Sequence, residues 1–94
     1  MQKPNVEKDK KLLLDSLRKL KSSKDISAFF DDLLTEEEIL DLAQRIRIAK
    51  LILEGKSYDE ISQKIQTSTS TVSKIGQIIK YGKGSFEKVF KKVK

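Results

Sequence analysis

Apolar residues recur at helical spacing along almost the whole chain, and no stretch sustains the alternation of a strand. Residues 9–21 put Leu13, Leu17 and Leu20 on one stripe, widened by Leu14, with Lys10, Lys11, Arg18, Lys19 and Lys21 largely outside it. Residues 1–8 read as a frayed tail. A second helix starts at Ser22-Ser23 or at Ser27 and carries Ile26, Phe29, Phe30, Leu33 and Leu34 in register. Its adjacent phenylalanines read as core anchors. Thr35 and Glu38 form a capping box ahead of a third helix over 36–54, which stops at Gly55.

That third helix is apolar over more than one face: Ile39, Leu40, Leu42, Ala43, Ile46, Ile48, Ala49, Leu51, Ile52 and Leu53. A helix apolar most of the way round is buried on most sides. A chain of 94 residues has few elements with which to bury it, so a second copy of the chain is expected against it; the alternative is that the helix at 9–21 and the Phe-bearing helix cover it within one chain. Arg45 and Arg47 interrupt the pattern and need partners, either Asp41 and the acidic stretch around it or a ligand or phosphate.

Residues 57–79 organise the chain. Ser57 and Glu60 make a second capping box, and Ile61 and Ile65 follow on one helical face. Gln66-Thr67-Ser68 breaks the pattern, and Val72, Ile75, Ile78 and Ile79 resume it. Two short helices joined by a tight turn are the pattern of a helix-turn-helix. The second helix opens on hydroxyls alone, Thr67, Ser68, Thr69, Ser70 and Thr71, and Ser73, Lys74 and Gln77 extend its polar face. Short hydroxyls let a helix start sit close to phosphates and base edges, and its free N–H groups favour an anion. An ordinary helix hairpin with a Ser/Thr-rich cap would give the same composition. This helix ends near Tyr81, and residues 85–94 read as a short helix docked by Phe86 and Phe90, or as a basic tail.

Composition narrows the classes. The chain reads as all-α, with a single domain over 9–94. It has no Cys, hence no disulfide or thiolate site, which fits a reducing cytoplasm. It has no His, which removes the commonest general base and metal ligand; with no phosphate-cradling glycine loop either, an enzyme is not expected. The acidic group Asp31, Asp32, Glu36, Glu37, Glu38 and Asp41 reads as helix-start charge rather than a cation site. The basic helix at 9–21 is short and lacks aromatics, so no membrane role is expected. Net charge is +6, unevenly spread: from Ile61 to the end there are eight lysines against Glu87 alone, a balance of +7. The predicted reader lies in the basic half, which points to a polyanionic partner.

L-L-T-E-E-E-I-L-D-L-A-Q-R-I-R-I-A-K-L-I-L-E-G-K-S-Y-D-E-I-S, followed by S-T-S-T-V-S-K-I, resembles the Trp repressor superfamily. It is most similar to the small Trp-repressor-like YerC/YecD subgroup, which also tends to carry the F-F-D-D-L found here at 29–33 and the Y-G-K-G-S-F type of ending at 81–86. The resemblance covers roughly residues 24–90. It implies an intertwined homodimer whose two readers enter successive major grooves, with helix 36–54 in the dimer core. It also implies a corepressor pocket, in which Thr35 and Arg45 match a threonine and an arginine that hold tryptophan. Lys74 stands where a second arginine is usual and Ile75 where a glycine follows, so tryptophan sensing is not expected. Gln66 replaces the usual turn glycine and must take a left-handed backbone or alter the turn.

The expected function is that of a dimeric repressor on double-stranded DNA at the bacterial nucleoid. Thr67, Ser68, Thr69, Ser70, Thr71, Ser73, Lys74 and Gln77 would meet the groove, and Lys64, Lys80 and Lys83 the phosphates. Two readings compete with it. One is an origin-type or architectural DNA binder, since the superfamily includes the DNA-binding domain of the replication initiator. The other is a helical protein-interaction module built on helix 36–54.

Overall fold

Helix caps written in the sequence set the element boundaries of the computed structural model, which describes residues 5–90. Among the described residues six α-helices follow one another: α1 Val6–Arg18, α2 Ser23–Leu33, α3 Glu36–Leu53, α4 Tyr58–Ile65, α5 Thr69–Tyr81 and α6 Ser85–Val89. Among the described residues there is no strand, and no helix is long and apolar enough to cross a membrane. The chain divides between Glu37 and Glu38 into two compact units.

In the first unit, α1 begins three residues before its expected start at 9, because Asn5 caps it: the Lys8 N–H donates to Asn5 Oδ1 at 3.1 Å. Residues 5–8 are therefore cap and first turn rather than tail, while residues 1–4 lie outside the described residues. Ser22 caps α2, accepting the Asp25 N–H at 3.1 Å. Neither α1 nor α2 contains a buried side chain. Phe29 is half-buried and Phe30 exposed, so the expected core anchors have only part of a core to enter.

The second unit holds a true core. Ile48 and Ala49 of α3 meet Ile61 and Ile65 of α4 and Val72 and Ile75 of α5, with Leu51, Ile52, Tyr58, Ile79 and Phe86 packed against them. Ile48, Ile61 and Val72 are fully buried, each worth ~1.5–3 kcal/mol by transfer. α3 stops where expected: Gly55 takes the left-handed conformation, φ 89°, and the Lys56 N–H returns to Leu51 O at 3.1 Å. α6 is the short docked helix, held by Phe86, with Phe90 half-buried just beyond it. Residues 91–94 of the expected last helix or tail lie outside the described residues.

The width of the apolar set on α3 resolves into two opposed stripes. At ~100° per residue, Ile48, Leu51 and Ile52 face one way, into the core. Ile39, Leu42, Ala43 and Ile46, at the i, i+3, i+4, i+7 spacing, face the other way. In that second stripe Leu42, Ala43 and Ile46 are exposed and Ile39 is half-buried. Leu40 beside it is 67% exposed.

α4 and α5 approach closely at one point. A Cβ placed on buried Gly76 would stand 2.0 Å from Tyr58 Oη and 2.8 Å from Tyr58 Cζ. Tyr58 is itself packed on the core, so its ring has little room to retreat. Gly76→Ala gains ~1 kcal/mol of helix propensity but suffers ~1–3 kcal/mol of overpacking. The variant should be less stable in urea, and Tyr58→Phe should relieve only part of the loss, since the ring carbon also clashes. A Gly76→Ala variant more stable than wild type would contradict this packing.

Candidate nucleic-acid interface

The second unit presents α5 through two caps and one turn. Ser57 Oγ accepts the Glu60 N–H at 3.1 Å and donates to Glu60 Oε1 at 3.2 Å. The expected box differs in this detail: the carboxylate takes the serine hydroxyl rather than a backbone N–H. α4 then ends at Gln66, whose backbone is left-handed, φ 63° and ψ 51°. Gln66 therefore accepts the strained option, at roughly 1–2 kcal/mol for a residue with a side chain.

The turn is held by Ser62. Its carbonyl accepts the Gln66 N–H and, at 3.1 Å, the Thr67 N–H. Its hydroxyl donates to the Thr67 carbonyl. Ser68 then caps α5: its Oγ accepts the Thr71 N–H at 3.1 Å and lies 2.9 Å from Thr71 Oγ1. The hydroxyl run is thus divided by role. Thr67 belongs to the turn, Ser68 is the cap, and Thr69 is the first helical residue.

Burial sorts the polar face of α5. Val72, Ile75 and Gly76 are buried and Ile79 half-buried, which fixes the inward side. Ser70, Lys74 and Gln77, at i, i+4 and i+7, lie opposite and are exposed. Ser68 and Thr69 are exposed at the helix start, whereas Thr67, Thr71 and Ser73 are half-buried flanks. Lys64, Lys80 and Lys83 are all exposed. No acidic residue lies in the first turn of α5, and among described residues from Ile61 onward Glu87 is the only one. The result is a bare, hydroxyl-rich helix start flanked by ammonium groups, a surface suited to a polyanion.

Three features lie outside the sequence expectation. Tyr81 continues the outward stripe at i+11 and is 80% exposed; the stripe spacing alone would have found it. Ser62 carries no signal beyond being a serine near a helix end. The Tyr58–Gly76 contact is between side chain and backbone of separate helices, and only coordinates reveal it.

The residues matched to a corepressor pocket fall in different units: Thr35 in the first, Arg45 and Lys74 in the second, both exposed. Arg45 and Asp41 are exposed and form no ion pair with each other among the described residues, contrary to one expectation. Arg47 is exposed beside a shallow groove with Lys50, Leu51, Glu54, Lys64 and Ile65. Among the described residues no group of acidic side chains gathers to hold a metal ion.

Two helices locked across a tight turn, the second bare and basic outside, define a helix-turn-helix protein. The chain belongs to the Trp repressor family: residues 8–94 match the Trp repressor protein family. It is 37% identical over 82 residues to YerC of Bacillus subtilis, itself uncharacterised, covering 87% of this chain and 79% of that one. A TrpR-like protein from Eubacterium eligens matches with a TM-score of 0.77 at 34% identity, covering 85% of this chain and 82% of its own. A candidate Trp repressor from Staphylococcus aureus matches with a TM-score of 0.76 at 31% identity, covering 93% and 85%.

The cap gives a direct test of how α5 begins. Ser68→Ala should cost about 1 kcal/mol in urea unfolding, and Ser68→Asp, which also caps, should recover most of it. Equal stability of wild type and Ser68→Ala would mean that the Thr71 N–H finds another partner.

Proposed function

We propose that this protein is a homodimeric, sequence-specific DNA-binding regulator that acts as a repressor by occupying its site. The observation that carries this reading is the outward stripe of α5, with Ser70, Lys74 and Gln77 exposed along a helix whose opposite face is buried. Ser68, Thr69 and Ser70 bring the helix start against the groove, and Thr67, Thr71 and Ser73 line its edges. Gln77 has the donor and acceptor to pair with an adenine edge, and threonine methyls fit thymine methyls. Lys64, Lys80 and Lys83 contact phosphate, which sets affinity without choosing sequence.

The dimer is supported by what one chain leaves uncovered. α1 and α2 bury no side chain, and the second stripe of α3 is largely exposed. A second copy supplies the missing partner, and two readers related by a two-fold axis require half-sites ~10 base pairs apart or a multiple of that. Effector dependence follows from Lys74 and Ile75. A lysine lacks the planar guanidinium that stacks on an indole, so DNA binding by this protein does not need tryptophan.

Genome-wide mapping of bound DNA, with and without added tryptophan, tests the reading as a whole. The expected result is a set of promoter sites with a repeated inverted motif, unchanged by tryptophan. Binding confined to one locus would assign the protein to origin recognition instead, and no bound site would reject DNA reading. Single Lys64→Ala, Lys80→Ala and Lys83→Ala variants should each lower the slope of log affinity against log salt by ~0.9. Unchanged slopes in all three would move the phosphate contacts elsewhere. Ser68→Asp should fold like wild type yet lose binding, because it sets a carboxylate against the phosphates.

A further inference from the structure

We propose that Ser62 is a positioning residue for α5: its hydroxyl fixes the pitch at which the reader helix leaves the turn. The proposal rests on the DNA-reading function set out above. Three hydrogen bonds join Ser62 to the turn, two into its carbonyl from Gln66 and Thr67 and one from its hydroxyl to the Thr67 carbonyl. The two carbonyl bonds belong to any helix that ends in a left-handed residue, whatever its side chain. The hydroxyl bond is specific to Ser62, and it ties the Thr67 carbonyl, just ahead of the Ser68 cap, to α4.

The need for it follows from Gln66. A glycine at this place would hold φ 63° without steric cost, whereas glutamine holds it under strain. The half-buried Ser62 hydroxyl supplies the restraint that opposes relaxation of that residue. A second restraint acts at the other end of α4, where Tyr58 abuts Gly76 in the middle of α5. The core cluster of Ile61, Ile65, Val72 and Ile75 holds the middle of the pair, and the turn governs where the first residues of α5 lie. Loss of the Ser62 hydroxyl frees the Thr67 carbonyl while Val72 and Ile75 stay in the core, so that the opening of α5, from Ser68 to Ser70, shifts against the base edges. The phosphate contacts of the flexible lysines tolerate such a shift, and base readout does not.

The experiment compares Ser62→Ala, Ser62→Thr and Gln66→Gly with wild type, at a temperature where urea curves show all of them folded. The probes are a duplex carrying a mapped site and a scrambled duplex. Ser62→Ala should weaken binding to the mapped site by about five- to tenfold, the equivalent of one hydrogen bond, with the scrambled duplex and the salt slope unchanged. Ser62→Thr, which restores a hydroxyl, should recover the difference. Gln66→Gly should recover more in the Ser62→Ala background than it adds to wild type, because the two act on one turn. An unchanged ratio of mapped to scrambled affinity in Ser62→Ala overturns the proposal, as does an equal loss on both duplexes. If wild type binds no duplex at all, the DNA-reading function falls separately. Amide exchange then decides the positioning claim: Thr71 and Val72, the first bonded amides of α5, should exchange faster in Ser62→Ala, and equal rates reject it.

Discussion

Ile48, Ile61 and Val72 meet with at most 1% exposure, one from each of three helices, and the second unit depends on that meeting. It is a small core. Its position decides what else the chain can do, because α5 contributes to it along one face only. A helix clamped along one side can leave the opposite side bare without unfolding. The outward stripe of Ser70, Lys74 and Gln77 exists because Val72, Ile75 and Ile79 hold the inward one. Ser57 and Ser68 complete the arrangement by satisfying N-terminal amides that the core does not reach.

The same core explains the incompleteness of the rest. It draws on the C-terminal half of α3 and leaves the N-terminal half with an apolar stripe of its own. Burying Leu42 and Ile46 from about half exposure, with Leu12, Leu33 and Leu40 beyond that, offers several kcal/mol that a lone chain forgoes. A helix with two opposed apolar stripes is matched to two partners. The core of its own unit is one, and in the proposed dimer a second copy of the chain is the other.

Much of this was legible in the sequence, for definite reasons. Helical spacing located the first five helices and left residues 85–94 open between helix and tail, and the Ser22, Ser57 and Gly55 boundaries fell where the caps place them. The start of α1 was misplaced because Asn5 caps a first turn whose only apolar residue, Val6, is 72% exposed, so no hydrophobic period announces it. The width of α3 was visible, but its resolution into two stripes needed the burial of Ile48 and Ile52. The sequence put Ser70, Thr71, Ser73, Lys74 and Gln77 together on the polar face of α5, where Thr71 and Ser73 are half-buried, and it treated Tyr81 as an end marker. Ser62 was invisible, because a serine five residues before its partner carbonyl has no signature apart from the turn that brings them together.

A reader built from hydroxyls has a consequence for how selectivity arises. Serine and threonine bond to more than one base and discriminate weakly, while lysines on phosphate do not discriminate at all. Gln77 is the one side chain on the outward stripe with a paired donor and acceptor suited to a single base. Selectivity on such a surface therefore depends less on the inventory of contacts than on how narrowly the contacts are aimed. In the proposed dimer on DNA, each reader must arrive at a fixed pitch, and two readers at a fixed separation. The first demand falls on the turn, where a strained Gln66 is held by its neighbours. The second, in the proposed dimer, falls on the apolar stripe of α3. In this protein the residues that would touch DNA and the residues that would make touching selective are different residues.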